Sequence, residues 1–276
     1  MKYRSIPYIL WFSLALCLTV NGQTSAGEAE KVIRAGFCPG PYASLFYSAI
    51  RPGLQAKGYR IEFREYPDFV QPNLALANNE IDLNMFQHSV YLENFKKQHN
   101  LELSVVAIVP TISMGIYSLS VPSLDRIPNG ARMAIPDDPT NMARALRLLN
   151  AAGLVVMNPT ANPAAYTEKD IWGNPHNFRI VPAEASKIAD LLEETEMAVV
   201  NGNFAIYAGL STSQMLYAES LAPDMLNVIA IRTYSKGTEL EKDLISVIKS
   251  DAYNKVISDS MRIYNSFQKP AAQPFN

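Results

Sequence analysis

The chain has 276 residues, 48% of them hydrophobic and 18% charged, with a formal net charge of -2 at pH 7. That balance excludes a disordered chain and leaves room for two compact α/β lobes or one large domain. The mild acidity gives no support for binding to nucleic acid or to an anionic membrane surface.

Lys2 and Arg4 precede an apolar run over residues 6–20, followed by polar and small residues through Ala26. This is the layout of a secretory signal, and Thr24-Ser25-Ala26 before Gly27 fits a small-x-small cleavage site. The apolar run is short for a membrane span of ~20 residues, so a retained anchor helix is the weaker reading. Cleavage after Ala26 removes one Lys, one Arg and no acid, leaving 22 basic against 26 acidic residues, a net charge of about -4. Cys17 is the alternative processing point, as the site of a lipid anchor. Leu16 before it is bulky where a small residue is wanted, and the run continues through Leu18, Thr19 and Val20, so a soluble periplasmic product is favoured. Cys38 then has no intramolecular partner, so no disulfide framework is expected and Cys38 reads as a small buried apolar residue.

From there the chain alternates strand and helix. A strand over residues 32–36 leads through Cys38-Pro39-Gly40-Pro41 into a helix over 42–57, which Gly58 ends. Residues 59–66 alternate as a strand does, a Pro72-started helix covers 73–78, and a strand over 81–85 runs into the helix of Tyr91 and Phe95. Strands follow at 105–109 and 114–119, the second reading as a crossover, and the pattern then restarts. It gives strands at 133–135, 178–181 and 197–200 with helices at 141–152 and 185–193. Residues 226–232 read as a strand returning to the first lobe, with helices at 239–250 and 251–264 and a Pro-containing end after Lys269 that should fray. The alternation predicts mostly parallel sheets covered by helices, in two lobes joined by two crossovers. Residues 1–26 are the signal peptide, 27–116 and 206–276 the two parts of the first lobe, and 117–205 the second. A ligand of such a hinged clamp sits near the carboxyl ends of the strands.

Enzyme signatures are missing from the sequence: there is no G-x-x-x-x-G-K-S/T, H-E-x-x-H, G-x-S-x-G or C-x-x-C. His88, His99 and His176 lack metal-ligand spacing, and the last two read as solvated surface. No cofactor is expected.

Five segments carry the specific information: Asp68-Phe69-Val70-Gln71-Pro72-Asn73, the run Asn84 to Leu92, Met114-Gly115-Ile116-Tyr117-Ser118, the run Ala134 to Asn141 with Arg144, and Val200-Asn201-Gly202-Asn203-Phe204-Ala205. In order, spacing and wording they closely resemble the NlpA/MetQ family of methionine-binding proteins. The opening Gly36 to Pro41 and the Asn174-Pro175-His176-Asn177 turn fit as well, so the resemblance runs from about Val32 to about Asp251. It implies a two-lobe periplasmic-binding-protein type II fold with its ligand cleft between the lobes. It also implies capture of methionine for an ABC importer, whose permease and separate ATPase subunit would be the partners of a monomeric binder.

Side-chain chemistry agrees. Asp138 can cap a helix that Pro139 opens, because proline lacks the donor that would go unused. Asn141 and Arg144, three apart, share a face of that helix, and the helix start together with the Arg fork suits a carboxylate. Phe86 or Phe69 can wall an apolar slot that His88 and Tyr91 close with polar edges, a setting in which a thioether packs favourably on aromatic rings. Core packing is the competing reading for Phe86 and Tyr91, as an ordinary surface position is for Arg144. By resemblance, Asn201 is the asparagine that bonds the polar end of the bound amino acid, though a turn Asn before Gly is an alternative. Glu184 resembles an acidic position that could pair the ligand ammonium, against a solvated helix-start Glu. Phe69 stands where the family commonly has Tyr, which leaves exact preference open among methionine, D-methionine, a methionine-containing dipeptide and another apolar amino acid. An enzyme or sensor on the same fold is the reading from a different class.

Overall fold

A computed structural model of the chain describes residues 31–211, 214–271 and 273. The signal segment and Cys17 lie outside the described residues.

β1 (Lys31–Phe37) leads through Cys38 and Pro39 into α1 (Tyr42–Leu45), a π turn over Phe46–Ile50 and α2 (Arg51–Gln55). The single helix expected over 42–57 is thus interrupted. Pro52 has no N–H to give the carbonyl of Ser48, and the Arg51 N–H reaches back five residues to Phe46 O instead. Gly58, at φ +87°, ends the helix and opens β2 (Tyr59–Glu65). α3 (Gln71–Ala77), β3 (Leu83–His88), α4 (Ser89–His99) and β4 (Leu103–Ile108) complete the first pass.

The second half runs β5 (Gly115–Tyr117), β6 (Arg132–Pro136), α5 (Pro139–Ala151), a small hairpin of β7 (Val156–Met157) and β8 (Ile171–Gly173), β9 (Arg179–Ala183), β10 (Met197–Val200), α6 (Gly202–Tyr207) and β11 (Met215–Ala218). β12 (Asn227–Arg232) returns to the first sheet, and α7 (Glu239–Ile248) and α8 (Asp251–Ile257) pack on it. The hairpin, β11 and α6 are short and carry little periodicity, so none of them was expected. The helix expected over 185–193 is instead two 3-10 turns, whose three-residue repeat still buries Ala185 and Ile188 together. In the segment expected to fray, the Gln273 amide bonds both the N–H and the carbonyl of Ile108.

The two large sheets have matching plans. The first has strand order β2-β1-β3-β12-β4 and the second, read from its other edge, β9-β6-β10-β5-β11. In each, three parallel strands meet one antiparallel strand that arrives from the other half: β12 in the first, β5 in the second. Two lobes with mixed sheets covered by helices are therefore present. β11 pairs with β5 in the second sheet, so strand pairing sets the connections at residues 109–114 and 219–226, later than the anticipated return at 206. We propose those two segments as the lobe boundaries.

Separate apolar cores back the two sheets. The ends of β3, β6 and β10, each followed directly by a helix start, face one another where the lobes meet. That is where α/β sheets place ligands, because backbone donors and side chains emerge there without breaking the ladder.

Candidate ligand-binding site

A small, partly open cavity lies at this junction. Phe86, His88 and Tyr91 line it from the end of β3 and the start of α4, Asn141 and Arg144 from α5, Asn201 from the end of β10, and Phe69 from the loop before α3. Seven of the eight residues singled out in the sequence therefore meet in one space. Glu184, the eighth, does not: it is exposed, bonds Ser186 Oγ at the start of a 3-10 turn, and borders a separate surface opening. Its role as the ammonium partner is corrected accordingly, since a solvated helix-start carboxylate cannot reach a buried ammonium. His99 is also exposed, stacked on Phe95.

The polar residues are held in fixed orientations by their neighbours. Asp138 caps α5, its Oδ1 accepting the Asn141 N–H at 2.9 Å and its Oδ2 the Asn141 side-chain amide at 2.9 Å. The start of α5 is thus occupied by the protein's own carboxylate, and the anticipated help of this helix start to a ligand carboxylate is withdrawn, which leaves Arg144 as the candidate for that role. Asn141 Oδ1 in turn accepts from Asn201 Nδ2 at 3.0 Å. The relay fixes Asn201 with its Oδ1 turned out as an acceptor, and that buried oxygen has no partner among the described residues.

His88 closes β3 and caps α4 by accepting the Tyr91 N–H on Nδ1 at 3.1 Å. Nδ1 is therefore unprotonated and Nε2 carries the hydrogen. Burial, reinforced by the Arg144 charge, holds His88 well below the usual histidine range, so the ring is neutral. Its buried Nε2–H has no well-aligned hydrogen-bond partner among the described residues, although the Asn141 side chain lies near enough to act on the ring. Arg144 is 5% exposed and gives its Nε and Nη2 to Glu219 at 2.8 and 2.6 Å, which leaves Nη1 without a partner among the described residues. The cavity wall thus carries one buried donor and one buried acceptor without a partner among the described residues, an imbalance that native interiors seldom tolerate without something to fill it.

Aromatic rings make up the rest of the wall. Phe69 stacks on Phe86 at 5.7 Å and lies 4.9 Å from Phe204 of the second lobe, with Tyr91 edge-on at 5.9 Å. The Tyr91 hydroxyl donates to Phe69 O at 3.2 Å. Phe69 is therefore a contact between the lobes as well as a wall. Beneath β3, Asn73, Asn84 and Gln87 form a closed amide network at 2.6 to 3.1 Å, all buried. The Pro72-Asn73 and Asn84-to-Gln87 motifs meet in that network, which stiffens the strand end carrying Phe86 and His88.

Sequence reasoning missed Tyr42, Ile112 and Asn227 as lining residues. They come from the first helix, a crossover and the returning strand, and no local pattern links them. Gly202 had a partial signal: any side chain there would run into the Ser113 carbonyl and Ile112, so a crossover packs directly on the start of α6.

A family model described as NlpA lipoprotein matches residues 33–272. The chain belongs to the NlpA lipoprotein family. Within it, Outer membrane lipoprotein 2 of Mannheimia haemolytica is 30% identical over 96% of each chain. The protein named D-methionine-binding lipoprotein MetQ of Yersinia pestis is 30% identical over 91% of this chain and 93% of its own. The structure of a nutrient-binding protein from Burkholderia cenocepacia bound to methionine matches with a TM-score of 0.78 at 29% identity, covering 84% of this chain and 98% of that one. The NlpA fold, two lobes with the cavity between them, is thus the architecture of this chain.

Proposed function

We propose that this protein is a periplasmic solute-binding protein that closes around one methionine and delivers it to an ABC permease, with ATP hydrolysed by a separate subunit. One observation carries the reading: in one cavity partly walled by Phe69, Phe86 and Tyr91, the buried His88 Nε2–H and Asn201 Oδ1 have no hydrogen-bond partner among the described residues, and Arg144 gives only its Nε and Nη2 to Glu219. Two donors suit a carboxylate and one acceptor suits an ammonium, while Phe69, Phe86 and Tyr91 suit an apolar or thioether tail. A buried zwitterion requires both charges to be met, because an unpaired one costs several kcal/mol. That requirement is the basis of selection.

Calorimetric titration of protein unfolded and refolded to strip carried-over ligand, against the twenty amino acids and D-methionine, tests the assignment. Heat with methionine and little with charged or small amino acids is expected; no heat with either methionine enantiomer overturns it. D-Methionine is the second reading, favoured by the name of the Yersinia relative. Export through residues 1–26 with cleavage after Ala26 gives a soluble monomer, and an intact mass beginning at Cys17 with an added lipid would replace that processing with anchoring.

A further inference from the structure

Arg144 does not face the cavity unaccompanied. Glu219, directly after β11, accepts from Arg144 Nε on Oε1 at 2.8 Å and from Nη2 on Oε2 at 2.6 Å. Oε2 also accepts the Met114 N–H at 3.2 Å, and the Glu219 N–H donates to Met114 O at 2.9 Å. Glu219 is tied in this way to both connections between the lobes, because Met114 ends one and Glu219 begins the other. Its side chain is 12% exposed and borders a rear opening with Arg147 and Tyr217, not the cavity itself.

We infer that Glu219 is the residue through which Arg144 discriminates: it fixes the guanidinium edge turned to the ligand and offsets its charge, so that the site takes zwitterions and rejects simple carboxylates. The inference rests on the amino-acid reading above. A guanidinium offers five N–H groups in a rigid fork, and Glu219 occupies the Nε–Nη2 edge, which leaves the Nη1 side for the ligand. Behind the cavity the charges balance, Arg144 and Arg147 against Glu219 and Asp224, while the His88 ring in front adds none. Without Glu219 this rear group of charges would be a net cation beside Arg144 and would favour any carboxylate. With it, a carboxylate without an ammonium gains less from Arg144 and leaves Asn201 Oδ1 unmatched. At about 7 Å and an effective dielectric constant of about 20, one unit charge changes carboxylate binding by more than tenfold, and the ammonium of a zwitterion cancels part of that change.

The test compares dissociation constants for methionine and for 3-(methylthio)propanoate, which is methionine without its amino group, in the native protein, E219Q and E219D. E219Q keeps the size and an acceptor for Arg144 but removes the charge; its preference for methionine should narrow by about tenfold, through tighter binding of the anion relative to methionine. E219D keeps the charge and should retain the native ratio within about threefold even where both affinities fall. A merely structural Glu219 would weaken both ligands in parallel, so an unmoved ratio in folded E219Q overturns the inference. A narrowed ratio in E219D does the same, and decides the matter should E219Q not fold. Equal binding of the two ligands by the native protein also overturns it. A native protein that fails to bind methionine takes down the proposed function and this inference together, whereas normal methionine binding with an unmoved ratio takes down only the role of Glu219.

Discussion

Replacing Arg144 with alanine separates the two things this residue does. Toward the ligand, the change removes charged hydrogen bonds to a carboxylate, each worth about 1.5–3 kcal/mol, so a loss of about 3 kcal/mol or roughly two orders of magnitude in affinity is expected. Toward the fold, it leaves the partly buried Glu219 carboxylate with only the Met114 N–H as hydrogen-bond partner among the described residues. Breaking a buried pair from one side costs about 3–5 kcal/mol, and the opening beside Glu219 admits solvent, so the lower end, about 3 kcal/mol, applies. At about 2–4 °C per kcal/mol for a chain of this size, Tm should fall by about 6–12 °C. Calorimetric titration and a thermal scan on the same sample read the two effects apart. The double variant R144A/E219A should recover much of the stability and none of the affinity, because it removes the stranded carboxylate without restoring the guanidinium. A folded R144A protein that binds methionine within about threefold of the native protein would refute the reasoning.

Asn201→Ala should weaken methionine by about 1–3 kcal/mol, since it removes the ammonium acceptor and leaves Asn141 Oδ1 unpaired; titration showing an unchanged affinity would remove Asn201 from the site. His88 is depressed below its unfolded value, so the unfolded chain binds more protons; its contribution to stability is complete above about pH 6.5 and is lost as pH falls from there toward the folded value, at up to about 1.4 kcal/mol per pH unit. Urea unfolding between pH 7 and 5 should show that slope in the native protein and a shallower one in H88Q; equal slopes would contradict a buried neutral His88. Gln87→Ala opens the buried Asn73–Asn84 network and should cost about 1–3 kcal/mol in denaturant unfolding, a cost that vanishes if water already satisfies those amides. Phe69→Ala should weaken methionine more than it weakens alanine, because it deletes the ring that stacks on Phe86 and meets Phe204. Parallel losses for the two amino acids would place Phe69 outside the tail pocket.

The elements that set the fold were legible wherever a hydrophobic period ran long enough. β1, β2, α4, α5 and β12 are all visible as period-two or helical patterns, and their alternation specifies two layered sheets. β11 escaped because three half-buried residues and one exposed residue leave no period, and with it went the return connection that we propose at 219–226. Site residues were legible when they followed a strand directly or shared a helix face, as His88 with Tyr91 and Asn141 with Arg144 do. Asn227 was not, because only the return of β12 beside β3 brings it to the cavity, and Tyr42 at the start of α1 shares no local pattern with the other lining residues. Arg144 was read as a free fork. Its pairing with Glu219, 75 residues away in sequence, is a tertiary fact with no local trace. Glu184 failed for the opposite reason, since an acidic residue at a helix start is equally at home in solvent.

The most direct test of the central claim, two lobes closed on one zwitterionic methionine, is a mass spectrum with chiral analysis of whatever dissociates when freshly purified protein is denatured. The account predicts methionine at about one molecule per chain from native protein and a large reduction from R144A. Stoichiometric release of a different molecule, or of none from a protein that also takes up no added methionine, would contradict it.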